Sequence, residues 1–371
     1  MSDRILFISD KKFLNLEVSG GVQLCTREYL TYLTQAGFNI IQFPIEPDKS
    51  AITRLKIKIG LEVYERYRIG TYLKDLINKI KTTEIKLVLF NQINITGWIV
   101  NLKSLLPADV KFVVLSHGNE SGDFLHEAAK AKRTSLLQTF RLGKMLIKES
   151  KVYSQFLDGV IVLSENELHI NQWLGANKLL YLPRLLYPAF LDWQPQENRI
   201  GFVGTLDHLP NAQGLVGLLD ALKTTQINIR LRLVGGPVSS GNSLAANYPF
   251  VEYLGQLTDE QLVQEVKTWS VFLNPVFWYA RGASTKLAQA ITWGIPCITT
   301  PAGRRGYDLY NDAISVSDNV PEHFGIKLAE VLKDHSRLYM LKKATEENAT
   351  HFDAQQWFDK LESFLKSIQT A

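Results

Sequence analysis

No stretch of this sequence reaches the roughly 18 apolar residues that a membrane-spanning helix needs, which argues against an integral helical membrane protein. Cysteine is scarce: Cys25 and Cys297 lie far apart in apolar segments. Two such residues make neither a disulfide framework nor a thiolate zinc site, and a reducing cytoplasm suits them. Internal repeats and low-complexity stretches are absent. The opening "MSDRILFISD" enters a strand at once, without a signal-peptide pattern. No recognised nucleic-acid module occurs, and the basic residues are spread over long amphipathic segments, so nucleic acid is not an expected partner.

What is present is a 371-residue chain with 46% hydrophobic and 21% charged residues, the composition of a globular protein large enough for two domains. Its net charge of +4 conceals an asymmetry. Residues 1–190 hold 25 Lys/Arg against 18 Asp/Glu, whereas the remainder holds 16 against 19. A basic first half points to an acidic partner, either a phosphorylated substrate or a membrane surface.

Short apolar runs alternate with helical patterns. In the first half these are "RILFIS" (4–9), "NIIQF" (39–43), "IKLVLF" (85–90), "KFVVLS" (111–116) and "GVIVLS" (159–164). A polar, proline-bearing stretch at 185–199 reads as a linker. The series then restarts with "RIGFVG" (199–204), "IRLRLVG" (229–235), "SVFLNP" (270–275), "PCITT" (296–300) and "AISVS" (313–317). Near-continuous apolar strands separated by helices imply parallel sheets covered on both faces. Two such series predict an α/β protein of two facing Rossmann-like domains, residues 1–187 and 188–371. The C-terminal helix, about 353–369, is expected to return to the first domain. Ligands in such sheets bind beyond the carboxyl ends of the strands.

One segment there is a ready anion site. "ARGASTKLAQAITWGIPCITT" reads as a loop, a helix beginning at Ser284 and Thr285, and a strand, with Lys286 in the helix's first turn. Backbone N–H groups and the helix dipole favour negative charge at such a point. Gly20 and Gly21 precede another helix, where glycines allow a phosphate to approach the backbone, and the spacing of "SGGVQ" does not match a dinucleotide fingerprint. His117 follows "KFVVLS" directly, placed to bond a sugar hydroxyl or to shuttle a proton. Asn119 and Glu120 come next and are candidates for reaching an acceptor.

Together, "SGGVQ", "SHG", "GFVGTLDHLPNAQGL" and "LNPVFWYARGASTKLAQAITWGIPCITT" resemble, in order and spacing, the retaining glycosyltransferases of family 4, which have the GT-B fold. The resemblance implies a nucleotide-sugar donor held by the second domain and a saccharide or lipid-linked acceptor held by the first. Sugar transfer would retain the anomeric configuration, an EC 2.4 activity. It implies that Lys286 binds the donor phosphates and that His117 touches the donor sugar. Gly204 and Thr205 would turn toward the diphosphate. Asp-x-Asp is absent from the chain, so the leaving group's charge falls to protein donors and no metal or other cofactor is expected.

The sequence also departs from the family. Two glutamates eight positions apart are common there, the second on the nucleotide ribose; here the positions are Arg281 and Gln289. A neutral amide bonds a hydroxyl less strongly than a carboxylate does. Arg281 is the first candidate for the basic residue missing from "GTLDHLPN", ahead of Arg304 and Arg305. A catalytically silent GT-B protein that binds a sugar, a nucleotide or a partner is therefore the alternative, and a nucleotide-sugar epimerase ranks third.

Two basic amphipathic segments, 53–81 and 130–153, complete the reading. Leu55, Ile59, Val63 and Tyr67 are expected to form a core-facing stripe, with Lys56, Lys58, Arg66 and Arg68 elsewhere on the turn. The competing reading is peripheral docking on an anionic bilayer at the inner face of the membrane, with the protein otherwise cytoplasmic.

Overall fold

The computed structural model describes residues 4–15, 20–59, 67, 69–130, 135–225, 227–279 and 281–370. The chain forms two compact units, Met1–Arg184 with Asp353–Ala371, and Leu185–Phe352.

The first unit opens with β1 (Arg4–Asp10), α1 (Lys11–Leu14), α2 (Gly21–Gln35), β2 (Asn39–Ile45), α3 (Ala51–Lys58) and α4 (Ile69–Thr82). Next come β3 (Leu87–Asn91), a 3-10 turn at Ile93–Trp98, α5 (Ile99–Leu105) and β4 (Lys111–Leu115). Then follow α6 (Glu120–Lys130), α7 (Leu136–Gln155), β5 (Gly159–Val162), α8 (Glu165–Trp173) and β6 (Leu179–Tyr181). All neighbours pair in parallel, in the order β2-β1-β3-β4-β5-β6. β3 is buried along its whole length, which is why its run is continuously apolar.

The second unit contains β7 (Arg199–Val203), α9 (Leu209–Thr224), β8 (Arg230–Val234), α10 (Val238–Asn247), β9 (Val251–Gly255) and α11 (Asp259–Val266). It continues with β10 (Val271–Asn274), α12 (Thr285–Trp293), β11 (Cys297–Thr299), a 3-10 turn at Asp312–Ile314, α13 (Pro321–Lys333) and α14 (His335–Thr350). This sheet is also parallel, ordered β11-β10-β7-β8-β9.

The last helix, α15 (Ala354–Gln369), belongs to the first unit. Phe358, Leu361, Leu365 and Ile368 are buried. Phe358 meets Tyr32 edge-on at 5.5 Å between ring centres, and Trp357 meets Tyr181 likewise.

Three sequence-based expectations need correction. β6 and β9 were not foreseen: both are edge strands, β6 only three residues long and half-buried throughout, β9 interrupted by the exposed Glu252 and buried only at Val251. "AISVS" is not a strand: it is a 3-10 turn followed by a single bridge from Ser315 to Thr299. In the 53–81 segment, Leu55 and Ile59 are not core-facing; α3 has no buried residue at all. Tyr67 is buried, while Val63 and Arg66 and Arg68 lie outside the described residues.

Candidate functional site

In an open parallel sheet, the strand order reverses beside the first strand, and that crevice is where ligands bind. The first unit reverses between β1 and β3, the second between β7 and β10. At both points the neighbouring strand ends in a fully buried asparagine, Asn91 on β3 and Asn274 on β10. Each organises what lies around it.

Asn91 fixes His117. Its Nδ2 donates to Ser9 Oγ at 2.8 Å and to Thr26 Oγ1 at 3.0 Å. Both hydroxyl protons are already committed, Ser9 to the Asp10 carbonyl and Thr26 to the Val22 carbonyl, so the amide must present its NH2 to them. Oδ1 therefore faces His117 Nε2, 2.6 Å away, and accepts. That assignment puts the proton of neutral His117 on Nε2 and leaves Nδ1 as the basic nitrogen. The Tyr29 ring meets the imidazole edge-on at 5.5 Å, and its hydroxyl donates to the Ser116 carbonyl at 2.5 Å.

The loop after His117 is held from below by two buried carboxylates. Glu149 of α7 accepts from the Ser121 amide at 3.1 Å and from its hydroxyl. Glu167 of α8 accepts from the Asn119 amide at 3.1 Å and the Leu163 amide at 3.3 Å. The Asn119 side chain is buried, accepting from the Gly122 amide at 2.6 Å and donating toward Glu149 and Asn171. An amide engaged in this way caps the start of α6. Glu120 is half-buried at the start of α6. Gly21 opens α2, and Gly20 before it is extended (φ −158°), a conformation open to any residue.

In the second unit, Asn274 ties the start of α12 to the sheet. Its Nδ2 donates to Thr299 Oγ1 at 2.9 Å and to the Gly303 carbonyl at 3.3 Å, while its Oδ1 accepts from Ser284 Oγ at 3.1 Å. Ser284 is the N-cap, its hydroxyl accepting from the Leu287 amide. Tyr307 donates to the Ser284 carbonyl and accepts from the Ala288 amide at 3.0 Å. Ser284 is thus buried, its hydroxyl engaged with Asn274 and the start of α12. Thr285 begins the helix.

Lys286 comes next, and it is the unusual residue. Its Nζ donates to Asn211 Oδ1 at 2.9 Å and lies 5.5 Å from the centre of the Phe202 ring. Burial, reinforced by the nearby Arg305 guanidinium, pushes its pKa down to about 8. Among the described residues no carboxylate pairs with it. The Asn211 amide is held in turn by the exposed Thr205, whose carbonyl accepts at 2.8 Å. Gly204 lies close against this lysine: a Cβ there would stand 3.2 Å from Lys286 Cδ, a tight contact. Gly235 presses on the carbonyl of Gly204 so closely that a Cβ would sit 1.8 Å from it.

Among the arginines, Arg305 supplies the second charge. Its guanidinium donates to the carbonyls of Ala302 (2.8 Å) and Arg281 (3.1 Å), whereas Arg281 is exposed and Arg304 turns toward Asp312. Gln289 is half-buried, one turn beyond Thr285 on α12. The site therefore combines a desolvated cation, a second cation and a helix start, a combination suited to a multiply charged anion.

Residues 197–334, which include Lys286, Arg305 and the start of α12 but none of the first unit's groups, match the family model described as glycosyl transferases group 1. No curated protein matches the chain. Among solved structures, sucrose-phosphate synthase from Thermosynechococcus elongatus is 17% identical and superposes with a TM-score of 0.74 over 99% of both chains. The chain has the GT-B fold. The E. coli trehalose-6-phosphate protein bound with UDP-2-fluoro glucose is 11% identical, with a TM-score of 0.64 over 100% of this chain and 99% of that one. The lipopolysaccharide outer core galactosyltransferase WaaB gives 14% and 0.63, over 98% and 99%. At these identities the likeness is one of fold.

Proposed function

We propose that this protein is a glycosyltransferase that moves a sugar from a nucleotide-sugar donor to a saccharide or lipid-linked acceptor, with retention of configuration and without a metal. The observation that carries the reading is Lys286, a cation held half-buried beside Arg305 with an amide as its partner. A buried charge without a counter-ion is costly, and a diphosphate would supply the missing negative charge.

When the sugar–phosphate bond breaks, charge develops on the departing diphosphate. Lys286, Arg305 and the start of α12 are positioned to stabilise it, which is the part a metal plays in other transferases. His117 would meet the sugar, with Asn91 setting its orientation. The family model and the UDP-sugar bound by the E. coli neighbour support a donor of this class. Gln289 favours a second reading, a silent binder of the same ligands, since the amide holds a ribose less firmly than a carboxylate.

Titration calorimetry with nucleoside diphosphates comes first: micromolar binding is expected. A panel of nucleotide sugars with saccharide acceptors should then release free nucleotide, equally with and without EDTA. Proton NMR of the product should show the donor's anomeric configuration kept. Binding without release in any combination selects the silent binder; activity lost to EDTA and restored by magnesium overturns the metal-free route. Inversion of the anomeric centre overturns retention, and absence of any nucleotide binding overturns both readings.

A further inference from the structure

Helix α8 opens on Ser164-Glu165-Asn166-Glu167, the spacing of a capping box, in which the acid three residues after the cap turns back onto the start of its own helix. Ser135 with Gln138 on α7 and Thr258 with Gln261 on α11 close in that way. At α8 the hydroxyl plays its part, Ser164 Oγ accepting from the Glu167 amide at 3.4 Å. The carboxylate is divided between two segments. Its Oε2 accepts from the Leu163 amide at 3.3 Å, just past β5, and its Oε1 accepts from the Asn119 amide at 3.1 Å, in the loop that follows β4. Glu167 is 4% exposed. One buried carboxylate thus ties together the carboxyl ends of two adjacent strands.

What Glu167 holds bears on His117. Ser116, just before it, is fully buried and fixed at each of its polar groups. Its amide donates to the Ile161 carbonyl at 2.8 Å, its carbonyl accepts from Tyr29, and its hydroxyl accepts from the Gly118 amide at 3.1 Å. Gly118, just after His117, has φ +131°, a conformation that favours glycine, and glycine restrains its own dihedrals least. The next fixed point along the chain is the Asn119 amide, on Glu167. Helix capping does not account for this bond. α6 already has the Asn119 side chain on the Gly122 amide and Glu149 on the Ser121 amide, and α8 has Ser164. Burying a carboxylate is costly, and a glutamine suffices to close the boxes at Ser135 and Thr258. In place of Glu167, however, a glutamine would turn its NH2 toward one of the two N–H groups.

We propose that Glu167 is a positioning residue for His117: by joining the His117 loop to the end of β5, it fixes where the imidazole stands. Three neighbouring strand ends then act on one ring, β3 through Asn91, β4 through Ser116 and β5 through Glu167. A small displacement of a reacting group slows the chemical step far more than it weakens binding, and the donor's phosphates are assigned to the second unit. Loss of Glu167 should therefore fall on turnover. The use made of His117 rests on the transferase reading above; the hold of Glu167 on the ring does not, and it can be measured without turnover.

Imidazole nitrogen NMR and hydrogen exchange on the full chain, without substrate, form the first test, the His117 signals being assigned by their loss in His117→Gln. Glu167→Gln should shift those signals and speed exchange of the Asn119 amide at least about ten-fold. In the transfer assay the same variant should lower kcat roughly ten- to hundred-fold and leave the donor KM within about two-fold of wild type. Glu167→Asp keeps the charge but reaches one amide, so its losses should be smaller; it also serves if Glu167→Gln does not fold. Ser135→Ala, which opens the capping box of α7, is the control for stability alone. It should lower the melting temperature and leave kcat and the His117 signals at their wild-type values. Unmoved His117 signals and unchanged Asn119 exchange in Glu167→Gln would overturn the inference, whether or not the wild type transfers sugar. So would a wild-type kcat, a loss confined to the donor KM, or a kcat loss that Ser135→Ala reproduces. A wild type that transfers nothing would defeat the transferase reading, and the NMR and exchange shifts would still establish what Glu167 holds.

Discussion

Lys286 makes a prediction at the scale of one proton. Its folded pKa near 8 lies below the ordinary 10.5, so between those values the unfolded chain holds more protons. Stability contributed by this site therefore rises with pH through that window and is lowest below pH 8. A bound diphosphate restores the charge. At pH 8, where about half of the free lysines are neutral, binding should take up about half a proton per ligand, and almost none at pH 6. Calorimetry in buffers of differing ionisation enthalpy reads this directly; Lys286→Met should abolish the uptake and weaken binding by about 1.5–3 kcal/mol. Uptake that persists in the variant would assign the proton elsewhere. Asn91 carries a second prediction. Imidazole nitrogen NMR should find His117 protonated on Nε2, and Asn91→Leu should bring in the other tautomer while slowing turnover roughly ten- to hundred-fold. An unchanged tautomer would show that Asn91 does not set it. Lys286 was legible in the sequence because a helix start announces itself. Asn91, Asn274 and Arg305 were less so, since their roles depend on strand order, which periodicity does not report. The one local signal, an asparagine closing an apolar strand in "LVLFN" and again in "VFLN", has meaning only once those strands stand beside β1 and β7.

At the scale of elements, every inner strand could be read directly, and so could the edge strands β2 and β11, but not the edges β6 and β9. A strand buried on both faces must be apolar throughout, whereas at the edges β6 is only three residues long and β9 tolerates the charged Glu252. Helix α12 was legible at both ends, through the Ser284 cap and Gly294. Gly294 is left-handed (φ +64°), and a Cβ there would meet Phe190 at 2.7 Å and Glu346 at 3.1 Å. Gly294→Ala should therefore cost about 1–3 kcal/mol, from the backbone strain and the crowding together. Thermal unfolding checks it: a variant as stable as the wild type would mean that Phe190 yields freely. α3 misled for the opposite reason. Its pattern is that of a buried face, and a sequence cannot say whether the apolar partner is the protein's own core or something else.

At the scale of the molecule, α15 lies far along the chain from the unit it completes. It buries Phe358, Leu361, Leu365 and Ile368 in the first unit. At about 1.5–3 kcal/mol for each side chain, their loss approaches the whole stability of an ordinary domain. A chain ended at Phe352 should thus lose the first unit's protection in hydrogen exchange, while the second unit keeps its protection and the diphosphate binding proposed for it. Equal protection of both units would show that α15 is dispensable.

The same return of the chain orders events on the ribosome. The first unit is translated first, but its last supporting helix emerges only after every residue of the second. Residues 185–352 hold all the strands of their own sheet and can close as soon as they appear. Maturation would then run against the direction of synthesis: the half bearing Lys286 would settle early, and the half bearing His117 would stay incomplete until residues 353–369 arrive.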